Sequence, residues 1–123
     1  MDLPIAGQVV VRVAFDFAVS VLTDADAEIR IGAGFEMRSQ GDKAAITDPS
    51  DMAPHASILV RCLGQVVRFA HVTDAGRLEL GVGEGLEISV QSDHFFEAWE
   101  YSDADQRKVV CMPGGSLATW GWE

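Results

Sequence analysis

The sequence predicts an α+β fold, mainly antiparallel β, with two meander-like pseudo-repeats packed as a sandwich or split roll and one helix at about residues 51–63. Three observations carry this. Short runs of alternating apolar and polar residues recur along the chain, separated by Gly and Asp turn signals. One stretch, after Asp48-Pro49, switches to helical spacing. The tetrapeptide Gly-Gln-Val-Val occurs at 7–10 and again at 64–67, each time opening a meander.

Gly7-Gln8-Val9-Val10-Val11-Arg12-Val13 is dense in β-branched residues, which suit a pleated surface, and predicts a strand. Val19-Ser20-Val21-Leu22 and Ala27-Glu28-Ile29-Arg30-Ile31 alternate, and Thr23-Asp24-Ala25-Asp26 joins them as a hairpin turn. Gly32-Ala33-Gly34 ends that hairpin. Phe35-Glu36-Met37-Arg38 alternates again, and Gln40-Gly41-Asp42 turns the chain into Lys43-Ala44-Ala45-Ile46. Asp48-Pro49-Ser50-Asp51 then supplies short oxygen-bearing side chains that cap free N–H groups. Met52, Ala56, Leu59 and Leu63 follow at helical spacing, with Ile58 and Cys62 widening the stripe. Pro54 falls in the first turn of that helix, and Gly64 stands where a left-handed terminator belongs.

The second half restarts with Gly64-Gln65-Val66-Val67-Arg68-Phe69-Ala70, and Thr73-Asp74-Ala75-Gly76 turns the chain. Leu78-Glu79-Leu80 and Leu86-Glu87-Ile88-Ser89-Val90 form a hairpin across Gly83-Glu84-Gly85. Phe95–Tyr101, Lys108–Met112 and a short Leu117–Trp120 strand complete the series.

The two halves, 7–49 and 64–113, correspond in order beyond the tetrapeptide. Val19-Ser20-Val21 lies opposite Leu78-Glu79-Leu80, and Glu28-Ile29 opposite Glu87-Ile88. Phe35-Glu36 answers Phe96-Glu97, Ser39 answers Ser102 and Lys43 answers Lys108. The offset drifts from 57 to about 65 at turns, where insertions are tolerated. Each half has one apolar face that it cannot bury alone, so the expectation is one domain over 1–123, the halves packed together and joined by the helix.

Nine Lys and Arg residues against nineteen Asp and Glu give a formal charge of −10. So acidic a surface repels nucleic-acid phosphate and anionic lipid, and suits a basic protein partner as well as plain solubility. Cys62 and Cys111 lie in apolar settings without Cys-x-x-Cys spacing, and read as buried thiols of an intracellular protein. No stretch is long enough for a membrane span, and Met1-Asp2-Leu3-Pro4 lacks a signal peptide's basic start, so the expected location is cytoplasmic.

The sequence carries no G-x-S-x-G, H-E-x-x-H, P-loop or Rossmann motif. Gly81-Val82-Gly83-Glu84-Gly85 is glycine-rich but lacks the following helix that a phosphate cradle needs. His55, His71 and His94 show no metal-ligand spacing. His94 beside Asp93 and Glu97 reads as a surface histidine, because no nucleophile or oxyanion hole accompanies it. The expectation is therefore no catalytic residues, no metal and no cofactor. Asp103 and Asp105 fall in a turn, where Asp serves the backbone first. The aromatic residues gather late: Trp99, Tyr101, Trp120 and Trp122. Trp99 and Trp120 are expected to anchor the core, whereas Trp122 either folds back or meets a partner. Trp120, Trp122, Tyr101, Asp103 and Asp105 form the candidate partner-binding set. Arg68, His71, His94 and Trp99 form a candidate pocket between the halves.

Phe96-Glu97-Ala98-Trp99-Glu100, followed by Cys111-Met112-Pro113-Gly114-Gly115 and Trp120, resembles the ending of a family of small actinobacterial proteins of unknown function. The likeness reaches back through Asp48-Pro49 and the Gly76-to-Val90 hairpin. It departs at Gly83-Glu84-Gly85, where such proteins tend to have Asp-Gly, which alters a turn. The resemblance implies membership without an activity, so it transfers no site residues. The functional expectation is a soluble, non-enzymatic binding protein, with immunity-like neutralisation of a basic protein as its most concrete form. The rivals are a homo-oligomer, most simply a homodimer, built through the C-terminal strand, and a small-ligand receptor with its site between the halves.

Overall fold

A computed structural model describes residues 1–123. The strands are β1 (Val10–Phe15), β2 (Val19–Thr23), β3 (Glu28–Ile31), β4 (Phe35–Ser39), β5 (Asp42–Ile46), β6 (Val67–Val72), β7 (Leu78–Val82), β8 (Leu86–Val90), β9 (Trp99–Ser102), β10 (Lys108–Cys111) and β11 (Leu117–Trp120). They form two sheets, β1-β2-β3-β9-β10-β11 and β5-β4-β8-β7-β6, with every strand pair antiparallel. The predicted class, α+β and mainly antiparallel β, is the observed one.

The pairing is equivalent in the two halves. β1-β2-β3 form a meander in one sheet, after which the chain crosses to place β4 and β5 in the other; β6-β7-β8 and then β9-β10 do the reverse. β3 therefore pairs with β9 and β8 with β4. Both meanders carry a register shift at the same place, between Val10 and Arg12 and between Val67 and Phe69.

The repeated Gly-Gln-Val-Val segments pair with each other. Val9 and Val66 form an antiparallel bridge. Gly7 N–H donates to Val67 O and Gly64 N–H to Val10 O, both at 2.8 Å. Val67 N–H donates to Gln8 O at 2.8 Å and Val10 N–H to Gln65 O at 2.9 Å. Gly7 and Gly64 take φ of 91° and 76°, left-handed values that a Cβ would penalise.

Register corrects part of the sequence alignment. Ser89 and Arg30 are counterparts, and they face Glu36 and Glu100. Phe35 thus answers Trp99, not Phe96, and Ser39 answers Asp103, not Ser102. Lys43 and Lys108 remain counterparts, opposite Arg38 and Ser102. The cause is the crossovers: residues 32–34 link β3 to β4, whereas the longer segment 91–98 links β8 to β9. A second Phe-Glu dipeptide within that longer segment mimicked the strand start.

The helix is also corrected. Instead of one helix over 51–63, turns of 3-10 helix at Pro49–Asp51 and Ala53–His55 lead into α1 (Ala56–Val60). Pro54 has no N–H to donate back to Ser50, and its ring crowds that carbonyl, so an α-helical ladder cannot run through it. Asp48 caps the first turn through Ser50 N–H at 3.0 Å, as expected. Met52, Ile58, Leu59 and Cys62 are buried, but Leu63 is 41% exposed. These side chains join the two inner sheet faces, along with Leu3 and Ile5, in one continuous core. No helix is long and apolar enough to cross a membrane.

Candidate functional site

The predicted C-terminal set divides on inspection. Tyr101 is buried in the core, and its hydroxyl donates to Asp103 Oδ2 at 2.6 Å. Asp103 Oδ1 accepts the N–H groups of Asp105 at 3.0 Å and Arg107 at 3.1 Å, and Arg107 Nε reaches Oδ2 at 2.9 Å. Burial alone would raise the Asp103 pKa, but the bonds from Tyr101 and Arg107 outweigh it and hold the carboxyl below its ordinary range. Asp103 and Asp105 thus organise their own turn. Trp122 folds back: its indole N–H donates to Lys108 O at 3.1 Å, and the Arg107 guanidinium lies 5.3 Å above its ring. Trp120 is not a core anchor but 52% exposed, with Lys108 Nζ 5.9 Å from its ring. Leu117 packs on the core, and a period of two then turns Trp120 to the outer face.

The predicted inter-half pocket is not assembled. Trp99 lies in the core, where its Nε1 donates to Gly76 O at 2.9 Å. Arg68 bonds Leu86 O and lies over Phe69. His71 Nδ1 is 2.8 Å from Asp2 Oδ1 on the outer face, and His94 is exposed beside Phe95. The four side chains do not converge, because Arg68 and His71 lie on the outer face of one sheet, Trp99 on the inner face of the other, and His94 in the crossover between β8 and β9. Between the sheets, the space bounded by Ile5, Val21, Ile29, Val67 and Leu80 admits no water molecule. Cys62 and Cys111 are buried free thiols, and desolvation pushes the Cys62 pKa up to about 12.

A different surface concentrates unusual features. Both crossovers leave from one end of the sandwich, which also carries the β1–β2 turn, because Val19 pairs with Ile31 and Ile31 with Trp99. Three phenylalanines stand in solvent there: Phe17 at 85% exposure, Phe95 at 84% and Phe96 at 63%. Each is held on a fixed turn. Asp16 Oδ1 accepts Ala18 N–H at 3.1 Å, while Asp93 Oδ1 accepts Phe95 N–H at 2.8 Å and Phe96 N–H at 3.1 Å. Bonds from the Ala18 and then the Phe17 backbone hold the Asp16 carboxyl below its ordinary range, and the backbone and side chain of Ser50 do the same for Asp48.

Phe96 and Asp93, from the second half, also line an open groove of about 330 Å³ with Gly32, Gly34, Thr47 and Asp48 from the first. The groove does lie at the junction of the halves, but none of the four residues predicted for a junction pocket reaches it. Gly34 lets the chain pass close there, since a Cβ would sit tightly at 3.0 Å from Thr47 O and 3.1 Å from Ile46 O. Sequence reasoning missed this end because Phe95 and Phe96 read as the start of a strand. The available signal was Ser92-Asp93, whose capping chemistry turns the chain just before them.

This architecture defines a two-sheet antiparallel β protein whose halves exchange their last strands, with an exposed aromatic end. The chain belongs to a family of unknown function, DUF6188, which it matches over residues 1–121. No curated protein and no solved structure matches it.

Proposed function

We propose that the protein is a non-enzymatic interaction module that engages a basic protein partner, with immunity-like neutralisation as its specific form. The observation that carries this is the pairing of exposed phenylalanines with ionised carboxylates at the crossover end. Exposed aromatic side chains are the usual anchors of protein interfaces, and surrounding acid selects a positive partner and speeds encounter. The charge balance favours the same reading. Arg38, Arg61, Arg77, Arg107 and Lys108 each pair with an acid of the chain, which leaves most of the nineteen acidic residues unopposed. The groove's carboxylates already accept backbone N–H groups, and no histidine, lysine or cysteine lines the groove to activate the hydroxyl of Thr47, which favours binding over catalysis. The immunity-like form rests on analogy with small acidic β-rich bacterial proteins that neutralise secreted toxins.

Affinity capture from host extract tests the reading. A basic protein retained at low salt and released at high salt is the expected result, and recovery of only neutral or acidic proteins counts against it. Self-association is the second reading, favoured by β11, an unpaired edge strand with Trp120 half exposed. Its test is the oligomeric state in solution before and after deletion of Gly121–Glu123; an unchanged state, or a monomer before and after, removes it.

A further inference from the structure

We infer that the longer crossover, residues 91–98, is the recognition loop of the protein, and that the crossover end docks a partner surface pairing an apolar patch with an arginine or lysine. The inference rests on the reading of a basic partner and assigns it a place on the molecule.

The internal repeat supplies the first argument. The first crossover joins β3 to β4 with residues 32–34 alone, so a short link suffices for the fold. The second makes the equivalent step with a longer segment, and the added length holds Asp93, His94, Phe95 and Phe96. Strand pairing on either side is equivalent in the two halves, so the extra residues are not needed to connect the sheets. Loops that exceed their connecting task are where binding residues concentrate.

Presentation supplies the second. Phe95 and Phe96 are turned into solvent although core positions open a few residues further on, at Ala98 and Trp99. Asp93 fixes both amides, so ordering the loop on binding costs little. Phe17 projects from the β1–β2 turn, and β2 and β9 are separated by β3 alone, so the aromatic groups share one end of one sheet.

Charge supplies the third, and it specifies the occupant. The Phe96 wall of the groove faces Asp48 and Asp93, whose Oδ1 atoms bind backbone N–H groups; Asp48 also takes the Ser50 side chain, and neither carboxylate is paired with a cation of the chain. Asp16, Asp51 and Glu97 stand nearby in sequence, and Arg77, at the same end, is tied to Glu79. A cationic side chain entering the groove meets two carboxylates while its stem lies on Phe96.

The test is amide chemical-shift mapping on the ¹⁵N-labelled full chain at low salt. The probe is a short peptide of alternating Arg and Leu, with its Glu-for-Arg counterpart as control. Expected shifts fall on residues 16–18, 32–34, 47–48 and 93–97, and the Glu peptide leaves them unmoved. The exposed double variant F95S/F96S, with unchanged thermal unfolding, weakens the Arg peptide about tenfold. D48N/D93N keeps both caps, since Asn caps as well as Asp, and weakens it while flattening its salt dependence. Binding that maps to β11 or the opposite end, or that survives both variants, overturns the crossover-end assignment and leaves the basic-partner reading standing. Equal shifts from the Glu peptide overturn the charge selection. Concentration-dependent shifts at these residues without peptide assign the patch to a second copy instead. Absence of Arg-peptide binding at any surface overturns both readings.

Discussion

The indole of Trp99 donates to the Gly76 carbonyl at 2.9 Å, and the Cys111 thiol approaches the same oxygen at 3.4 Å. Gly76 sits at a φ of 84°, packed so closely on Gly115 that a Cβ on either would collide with the other's turn. Trp99→Phe keeps most of the buried ring but leaves that carbonyl to a weak thiol donor, so stability should fall by about 1–3 kcal/mol in urea titration. A loss within error would show that the indole bond contributes nothing net. Asp103 gives a pH signature. Its folded pKa is lowered from the ordinary 3.8, so its stabilising effect is present above that value and lost as pH falls through the lower folded one. The stability gap between wild type and Asp103→Asn should therefore be widest near neutrality and narrow in acid. A gap independent of pH would mean that the carboxylate's charge is irrelevant there. Trp99 and Trp120 also show what single residues reveal in sequence. Both are tryptophans in alternating runs, but the face each takes depends on a strand start that Phe95-Phe96 disguises and on a register no local pattern prints.

Hairpins were legible because their turns need particular residues. Gly76 and Gly83 take positive φ, as does Asp26 at 60°, a value that Asn and Asp tolerate better than most side chains. The helix was legible in place but not in form. Met52, Leu59 and Leu63 are correctly spaced for one stripe, yet Pro54 splits the segment into 3-10 turns and a short α1, and after Val60 the i→i−3 bonds of Arg61, Cys62 and Leu63 tighten the chain and carry Leu63 off the stripe. Two substitutions separate the forms. Leu59→Ala, at a fully buried site, should cost about 2–5 kcal/mol by opening a cavity. Leu63→Ala should cost well under half as much in the same denaturant titration. Equal losses would restore the continuous helix over 51–63. The second crossover was the least legible element, since its capped turn and its Phe-Glu dipeptide signal opposite structures.

For the whole molecule, the repeated Gly-Gln-Val-Val was visible from the start, but its use was not. Alternation reports which face a residue takes and is silent on which sheet a strand joins, so the exchange of β4-β5 and β9-β10 between sheets had no local signal. That exchange makes the halves interdependent. Residues 1–63 hold β1-β2-β3 without the β9 that pairs with β3, and residues 64–123 hold β6-β7-β8 without β4. Each half would also expose an inner face of Val, Ile and Leu, and would lose the reciprocal bonds that Gly7, Val10, Gly64 and Val67 make across the joint. Neither fragment should fold alone, as read by far-ultraviolet circular dichroism, because a lone meander of a few short strands is marginal in water. Mixed at equal concentration, the two should regain the strand spectrum of the intact chain as a one-to-one complex, with a midpoint that rises with concentration. A half that folds by itself would show that the sheets are separable units and that the Gly-Gln-Val-Val joint merely fastens them. A mixture that stays unfolded would show instead that the peptide link at 63–64 supplies the cooperativity assigned to the strand exchange.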